Sequence, residues 1–265
     1  MIITITNNKG GVGKSTTAQT LAIGLALKHK KVLLVDLDAQ CSTTSTFKVS
    51  DAPNNIFKVL NNECTIQDAI SHTNYIDIIP SSLNLANIEN AINISQEYQF
   101  TKHRLIKDNL DKVKSNYDYI IIDTAPNLSL LTTNAIYSSD VVIIPMLADI
   151  YSIQGLSVIN NQINFIREGT DNKTIKIGGI LLTNYKAQTL INQGLRDKLN
   201  EIAKSLNTKV YKSVIRDSII FSDSQLTNSV CLLKYPNHNA TQDYLGFINE
   251  FLRDMEDNRK WVKIF

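Results

Sequence analysis

Residues 7–17 read NNKGGVGKSTT, a glycine cluster with a lysine on either side. Just before it, MIITIT (1–6) is a short β-branched run. Just after it, Ser15 to His29 carries apolar residues at helical spacing, with Ala18, Leu21, Ala22 and Leu25 on one face. KVLLVDLD (31–38) follows as a buried strand that closes on two carboxylates. Strand, glycine turn, helix, strand is one βαβ unit, and its parallel strands are expected to be sheet neighbours joined by a right-handed crossover. An ordinary phosphate loop, G-x-x-x-x-G-K-[ST], needs one lysine. Here Asn8 occupies the first glycine position and Lys9 stands beside it, so one lysine is surplus.

The rest of the chain repeats the alternation. YIDIIPS (75–81), YDYIIID (117–123), DVVIIP (140–145) and TIKIGGILLTN (174–184) read as strands. TKHRLIKDNLDKVKSN (101–116), Ser152–Arg167, Leu190–Ser205 and Thr241–Met255 read as helices, and Thr65 caps a further element, TIQDAI (65–70). KVYKSVIR (209–216) completes the pattern. Such alternation predicts an α/β fold, a doubly wound and mostly parallel sheet with helices on both faces. No repeat, linker or composition break divides the chain, so one domain over residues 1–265 is expected.

Bulk composition excludes several classes. Of the 265 residues, 43% are hydrophobic and 20% charged, as in a protein with a full core. The formal charge of +2, from 27 basic and 25 acidic residues, confines any nucleic-acid surface to a local patch. Cys41, Cys64 and Cys231 have no C-x-x-C spacing and fit a reduced cytoplasm better than a disulfide framework. No apolar run approaches the roughly 20 residues of a membrane span, and an apolar strand beginning at residue 2 leaves no room for a signal peptide. A cytosolic protein is expected.

The glycine turn carries the chemistry. Gly10, Gly11 and Gly13 let successive backbone N–H groups converge on an anion, and the following helix adds its dipole. Lys14 reaches the β- and γ-phosphates, and the Ser15 hydroxyl can face Mg²⁺. Asp123, at the end of a four-residue apolar run, supplies a carboxylate on the metal side. Asp36 and Asp38 end another strand; one suits the Mg²⁺ shell and the other orients a water for in-line attack.

At this point the sequence resembles the ParA/MinD family of deviant-Walker ATPases, in its ParA branch. NNKGGVGKSTTA is similar to that family's K-G-G-x-G-K-[ST]-T loop. KVLLVDLDAQCSTTS (31–45) resembles D-x-D-P-Q-G-N-x-T, with Ala39 and Cys41 replacing the usual Pro and Gly. YDYIIIDTAPNLSLLTTNAI (117–136) and VIRDSIIFSDSQ (214–225) with TQDYLGFINEFL (241–252) resemble two later motifs. The resemblance implies a P-loop NTPase of deviant Walker A type that binds ATP and Mg²⁺ through Lys9, Gly10, Gly11, Val12, Gly13, Lys14, Ser15 and Thr16, the last at the α-phosphate. It implies that Lys9 reaches the phosphates held by a second subunit, making an ATP-sandwich homodimer. By the same carry-over Asp38 positions the attacking water, Asp123 supports Mg²⁺ through water, and Asn184 reads adenine; with Asp38 so placed, Asp36 is the strand-end carboxylate that remains for the metal shell. Catalytic roles thus fall to Lys9, Lys14 and Asp38.

The family further implies non-specific DNA binding by the ATP dimer, nucleoid association, and hydrolysis stimulated by a ParB-type partner in plasmid or chromosome segregation. Gln188 and Ile220 stand where chromosomal members often carry DNA-contacting arginines, so Lys186, Lys212, Arg216 and Lys234 become the candidates, with Arg259, Lys260 and Lys263 beyond them. The alternative is a MinD-like membrane-associated positioning ATPase. RKWVKIF (259–265) mixes basic and apolar residues as interfacial anchors do, but it is short and follows the acidic LRDMEDN. No membrane partner is expected. An iron–sulfur reductase of the same fold would need cysteines in other segments.

Overall fold

A computed structural model describes residues 1–88, 92, 102–186 and 190–262, with the side chains of 150, 151, 190–193 and 257–262 left out. Seven strands form one sheet: β1 (Ile2–Ile5), β2 (Val32–Leu37), β3 (Ser71–His72), β4 (Asp77–Ile79), β5 (Tyr119–Thr124), β6 (Val141–Leu147) and β7 (Lys176–Thr183). Their order is β3-β4-β2-β5-β1-β6-β7, parallel except for the β3–β4 pair. The helices are α1 (Lys14–Ala26), α2 (Ser42–Thr46), α3 (Ile56–Leu60), α4 (Leu105–Leu110), α5 (Leu130–Ser138), α6 (Ile150–Gly169), α7 (Leu190–Ser205), α8 (Ile219–Leu226), α9 (Cys231–Lys234) and α10 (Asn239–Val262).

The strands read as unbroken apolar runs because both faces are covered. Along β5, Tyr119 and Ile121 pack into the core formed with α1 and α10, while Ile120 and Ile122 pack into the core under α3, α4 and α5. A third cluster joins α6 and α7 to β6 and β7 through Ile144, Ile159, Ile180 and Leu199. Between them the three clusters clothe both faces, and the doubly wound expectation holds.

One expectation fails in an informative way. β1 and β2 are not neighbours, because β5 lies between them. The register pairs Ile5 with Asp123 on one side and Asp36 with Asp123 on the other. The inserted strand therefore carries Asp123 to the point where the glycine loop and the β2 carboxylates meet.

Other elements differ from the sequence pattern. KVYKSVIR forms isolated bridges, Val210 to Ile180 and Arg216 to Tyr185, where a strand was expected, and the Tyr211 and Ile215 N–H groups donate to the Ile180 and Leu182 carbonyls of β7. The segment after Thr65 is a turn, where Asp68 accepts from the Thr65 backbone N–H and hydroxyl. The helix expected over 101–116 is reduced to α4 and a 3₁₀ turn at Lys114–Asn116, and α10 starts before Thr241 and runs past Met255.

Candidate functional site

The turn between β1 and α1 is held open by two left-handed glycines, Gly11 (φ 71°) and Gly13 (φ 78°), a conformation in which a Cβ is strained. Thr183 at the end of β7 anchors the loop by donating to the Val12 carbonyl at 2.9 Å. Behind it, the Thr17 hydroxyl meets the Tyr244 hydroxyl of α10 at 3.0 Å, both fully buried.

Lys14 is 7% exposed, and its ammonium donates to the Lys9 carbonyl at 3.1 Å. Burial lowers its pKa, with Asp123 and Asp38 nearby opposing the shift. Asp123, and Asp36 beside it in the β2–β5 register, are carboxylates with no exposure at all. Burial raises both, Asp36 to about 6 and Asp123 to about 7; for Asp123 the neighbouring charge of Asp36 adds to burial, and the Thr43 and Ser15 hydroxyls only partly offset it.

The two acids are used differently. Asp36 is saturated: Oδ2 accepts the Thr44 N–H at 2.8 Å and the Thr44 hydroxyl at 2.7 Å, and Oδ1 accepts the Asp38 N–H at 3.1 Å. Asp123 Oδ2 accepts from the Thr43 hydroxyl at 2.7 Å; the Ser15 hydroxyl lies near enough to lower the carboxyl's pKa but outside hydrogen-bond geometry, and Oδ1 meets no partner. Two more buried oxygens beside the loop, Thr6 Oγ1 and Asn8 Oδ1, are likewise orphaned. Native proteins satisfy nearly all such atoms, so this cluster fits a cation and a polar ligand.

Sequence reasoning missed Thr43 and Thr44. Thr43 links α1 to Asp123 by accepting from Gln19 Nε2 at 2.9 Å, and Thr44 clamps Asp36. The STT run at 42–44, following the β2 carboxylates, was the available signal.

Lys9 lies 40% exposed on the rim, its ammonium 2.8 Å from Asp149 Oδ2. Asp149 also caps α6 by accepting from the Ser152 N–H and hydroxyl. A pocket of about 250 Å³ beside the loop brings Gly11, Gly13 and Thr16 together with Asn184, which is left-handed at φ 47°. Ser218, Phe221, Ser222 and Gln225 also line it, from the 214–225 motif in which only Arg216 was expected to have a site role.

A family model for an AAA domain matches residues 1–177. The sporulation initiation inhibitor protein Soj of Bacillus subtilis is 37% identical over 255 residues, spanning 94% of this chain and 97% of its own. The chain belongs to the ParA/Soj family of partition ATPases. The chromosome partitioning protein ParA of Myxococcus xanthus is 30% identical, over 95% of this chain and 88% of its own. A putative plasmid partition protein of Borrelia burgdorferi, solved bound to AMPPNP, superimposes with a TM-score of 0.77 at 31% identity, covering 95% and 98% of the two chains. The cobyrinic acid a,c-diamide synthase of Mycobacterium smegmatis reaches a TM-score of 0.82 at 24% identity, a likeness of fold alone.

As a ParA/Soj member the chain carries its Cys41 substitution at a cost. Cys41 is left-handed at φ 55°, where glycine is the easy residue, and its N–H closes a turn on the Asp38 carbonyl at 2.9 Å.

The four cations expected to meet DNA are not equally available. Arg216 is clamped by Asp243, with Nε–Oδ2 at 2.6 Å and Nη2–Oδ1 at 2.9 Å. Lys234 pairs with Asp223 and bonds the Thr227 hydroxyl at 2.8 Å, and Lys186 lies 3.7 Å from Asp217. Of the four, Lys212 is the one whose ammonium makes no ion pair among the described residues. Ile220 is a core residue at 6% exposure. Gln188 and Lys263 lie outside the described residues, as do the side chains of Arg259 and Lys260, so the RKWVKIF segment is largely undescribed. Among the described residues no helix is long and apolar enough to cross a membrane.

Proposed function

We propose that this ParA/Soj chain acts as a single-domain ATPase over residues 1–265, closes as an ATP-sandwich homodimer, and binds DNA non-specifically. Hydrolysis is then stimulated by a ParB-type partner to segregate a plasmid or chromosome. The observation that carries the reading is the orphaned, fully buried Asp123 Oδ1 beside the buried Lys14 and the two left-handed glycines. A charge-poised, desolvated cluster of this kind is expensive unless a ligand completes it.

In this reading Lys14 neutralises the β- and γ-phosphates, and the N–H groups of Gly10, Gly11, Val12 and Gly13 cradle them. Ser15 and Asp123 are the residues that would hold Mg²⁺, which when bound spreads the charge on the phosphate oxygens. Asp36, its oxygens already engaged by Thr44 and Asp38, serves to fix the loop that presents Asp38. Asp38 orients the water, Thr16 meets the α-phosphate and Asn184 the base. Lys9 must leave Asp149 to reach a partner's nucleotide.

A titration of random-sequence DNA with ATP, with ADP and without nucleotide, at fixed salt, tests the reading. Light scattering on the same samples follows dimerisation. Binding and dimerisation with ATP only, both lost in Lys9→Ala while ATP is still bound, are expected. A Lys9→Ala protein that dimerises like the parent removes the trans role.

A further inference from the structure

We infer that the cleft at the N-terminal end of β2, walled by Lys30 and Lys31 with Lys28 in the same turn of chain, is a binding site for the phosphate backbone of nucleic acid. The inference rests on the DNA-binding reading above and names a surface for it.

The stretch LKHKKV (27–32) turns from α1 into β2, and all of Lys28, His29, Lys30 and Lys31 are exposed. Among the described residues no ammonium of the three lysines makes an ion pair or hydrogen bond; Lys31 is held through its backbone N–H, which donates to Asp118 Oδ2 at 2.8 Å. Beside Lys30 and Lys31 opens a cleft of about 580 Å³, walled by these two lysines with His72, Tyr75, Asp77 and Tyr117 among others. Asp77 is the one carboxylate in that wall, and both its oxygens are taken. Oδ1 lies 2.6 Å from His72 Nδ1, and Oδ2 accepts the Tyr117 hydroxyl at 2.7 Å. The lysines are thus left without a neutralising partner, unlike Arg216, Lys186 and Lys234.

The cleft is concave and rich in amide and hydroxyl groups, and Tyr75, 50% exposed at its edge, offers a ring face to a base or sugar. Cationic grooves with an exposed aromatic suit a nucleic-acid strand. A flat membrane surface would be met better by a protruding apolar face. Position also matters. Lys31 precedes β2 and Asp36 and Asp38 close it, so the cleft lies about 20 Å from the phosphate loop, at the rise of a six-residue strand. A dimer formed over the nucleotide leaves one such cleft open on each subunit, and two linked sites bind more tightly than either alone.

The test compares DNA binding across a salt series for the parent protein, for Lys28→Gln/Lys30→Gln/Lys31→Gln, and for the corresponding triple arginine variant. An ATP analogue and phosphatidylglycerol vesicles are titrated in parallel. Losing three phosphate contacts should flatten the slope of log K against log salt by about 2–3 and weaken binding about tenfold or more at low salt. The arginine variant should keep both, and all three proteins should bind the analogue equally. A glutamine variant with the parent's slope and affinity overturns the inference while leaving the DNA-binding reading intact, and so does an arginine variant as weak as the glutamine one. A parent that binds vesicles but no DNA, or no DNA in any nucleotide state, overturns both.

Discussion

Two regions of this chain are rich in opposed charges, and they use them in opposite ways. Around the phosphate loop, Lys14, Asp36 and Asp123 are buried, their pKa values are displaced, and Asp123 Oδ1 has no partner. In the C-terminal segment, Arg216 and Asp243 form a two-point clamp at the surface, and Lys234 and Asp223 pair beside Tyr235. The first region is incomplete without a ligand; the second is complete by itself. Counting cations does not reveal which are free to act, because availability depends on the carboxylate opposite.

The largest expected effect breaks the first region outright. Lys14→Ala removes its buried cation and leaves two buried carboxylates near a bound anion. Removing one partner from a buried charge cluster costs about 2–5 kcal/mol, so affinity for a fluorescent ATP analogue should fall by about a hundredfold or more. Unchanged affinity would show that the loop is no phosphate site. Asp38→Ala should spare binding, because Asp38 sits at the rim and its Oδ1 accepts only the Gln40 N–H, at 2.9 Å. Phosphate release should fall about 10²-fold, the scale of a lost orienting or basic group. A variant that cannot bind nucleotide would make Asp38 structural.

The same contrast was unequally legible in the sequence. The loop and its carboxylates lie within contiguous motifs, so Lys14, Ser15 and Asp123 could be placed from order alone. Strand order could not. The insertion of β5 between β1 and β2 follows from pairings between residues some ninety to one hundred and twenty positions apart, such as Asp36 with Asp123 and Ile5 with Asp123. Asp149 opposite Lys9 is separated from it by 140 positions, and Asp243 opposite Arg216 by 27. Charge pairing at such separations leaves no local pattern. α5 was legible and overlooked: Ser129 is its N-cap, accepting from the Thr132 N–H at 3.2 Å.

A smaller effect sharpens the account of the buried acids. In the ligand-free protein Asp36 and Asp123 hold protons more tightly than in the unfolded chain, since burial raises both. With folded pKa values above the unfolded ones, the contribution of these two acids to stability is full below about pH 4 and is lost as pH rises through about 6–7. Asp149 and Glu250, whose partners hold them low, act oppositely but only in more acidic solution. Between pH 5 and 8 the apo melting temperature should therefore fall by several degrees, at about 2–4 °C per kcal/mol for a chain of this size. Asp123→Asn should flatten the fall, and ATP with Mg²⁺ should reverse it. An apo melting temperature that rises across that range would show that neither acid is protonated in the fold.

The smallest effect belongs to the satisfied region. Asp243 is 16% and Arg216 49% exposed at their side chains, and Asp243 Oδ2 also accepts the Arg216 backbone N–H at 3.2 Å. An Arg216→Ala substitution removes the guanidinium but leaves that backbone bond. Exposed ion pairs contribute only about 0.2–1 kcal/mol, so the melting temperature should move by no more than a few degrees. The effect on DNA should be equally slight. Arg216 is neutralised by a carboxylate that a phosphate would have to displace, so few counterions are released at this position, and the salt slope should change by less than about 1. Asp243→Asn separates the alternatives, because it frees the guanidinium without removing it. If pairing is what silences Arg216, Asp243→Asn should bind DNA more tightly than the parent and with a steeper salt slope. If Arg216 already contacts DNA in spite of its clamp, Arg216→Ala will lose affinity and Asp243→Asn will gain little.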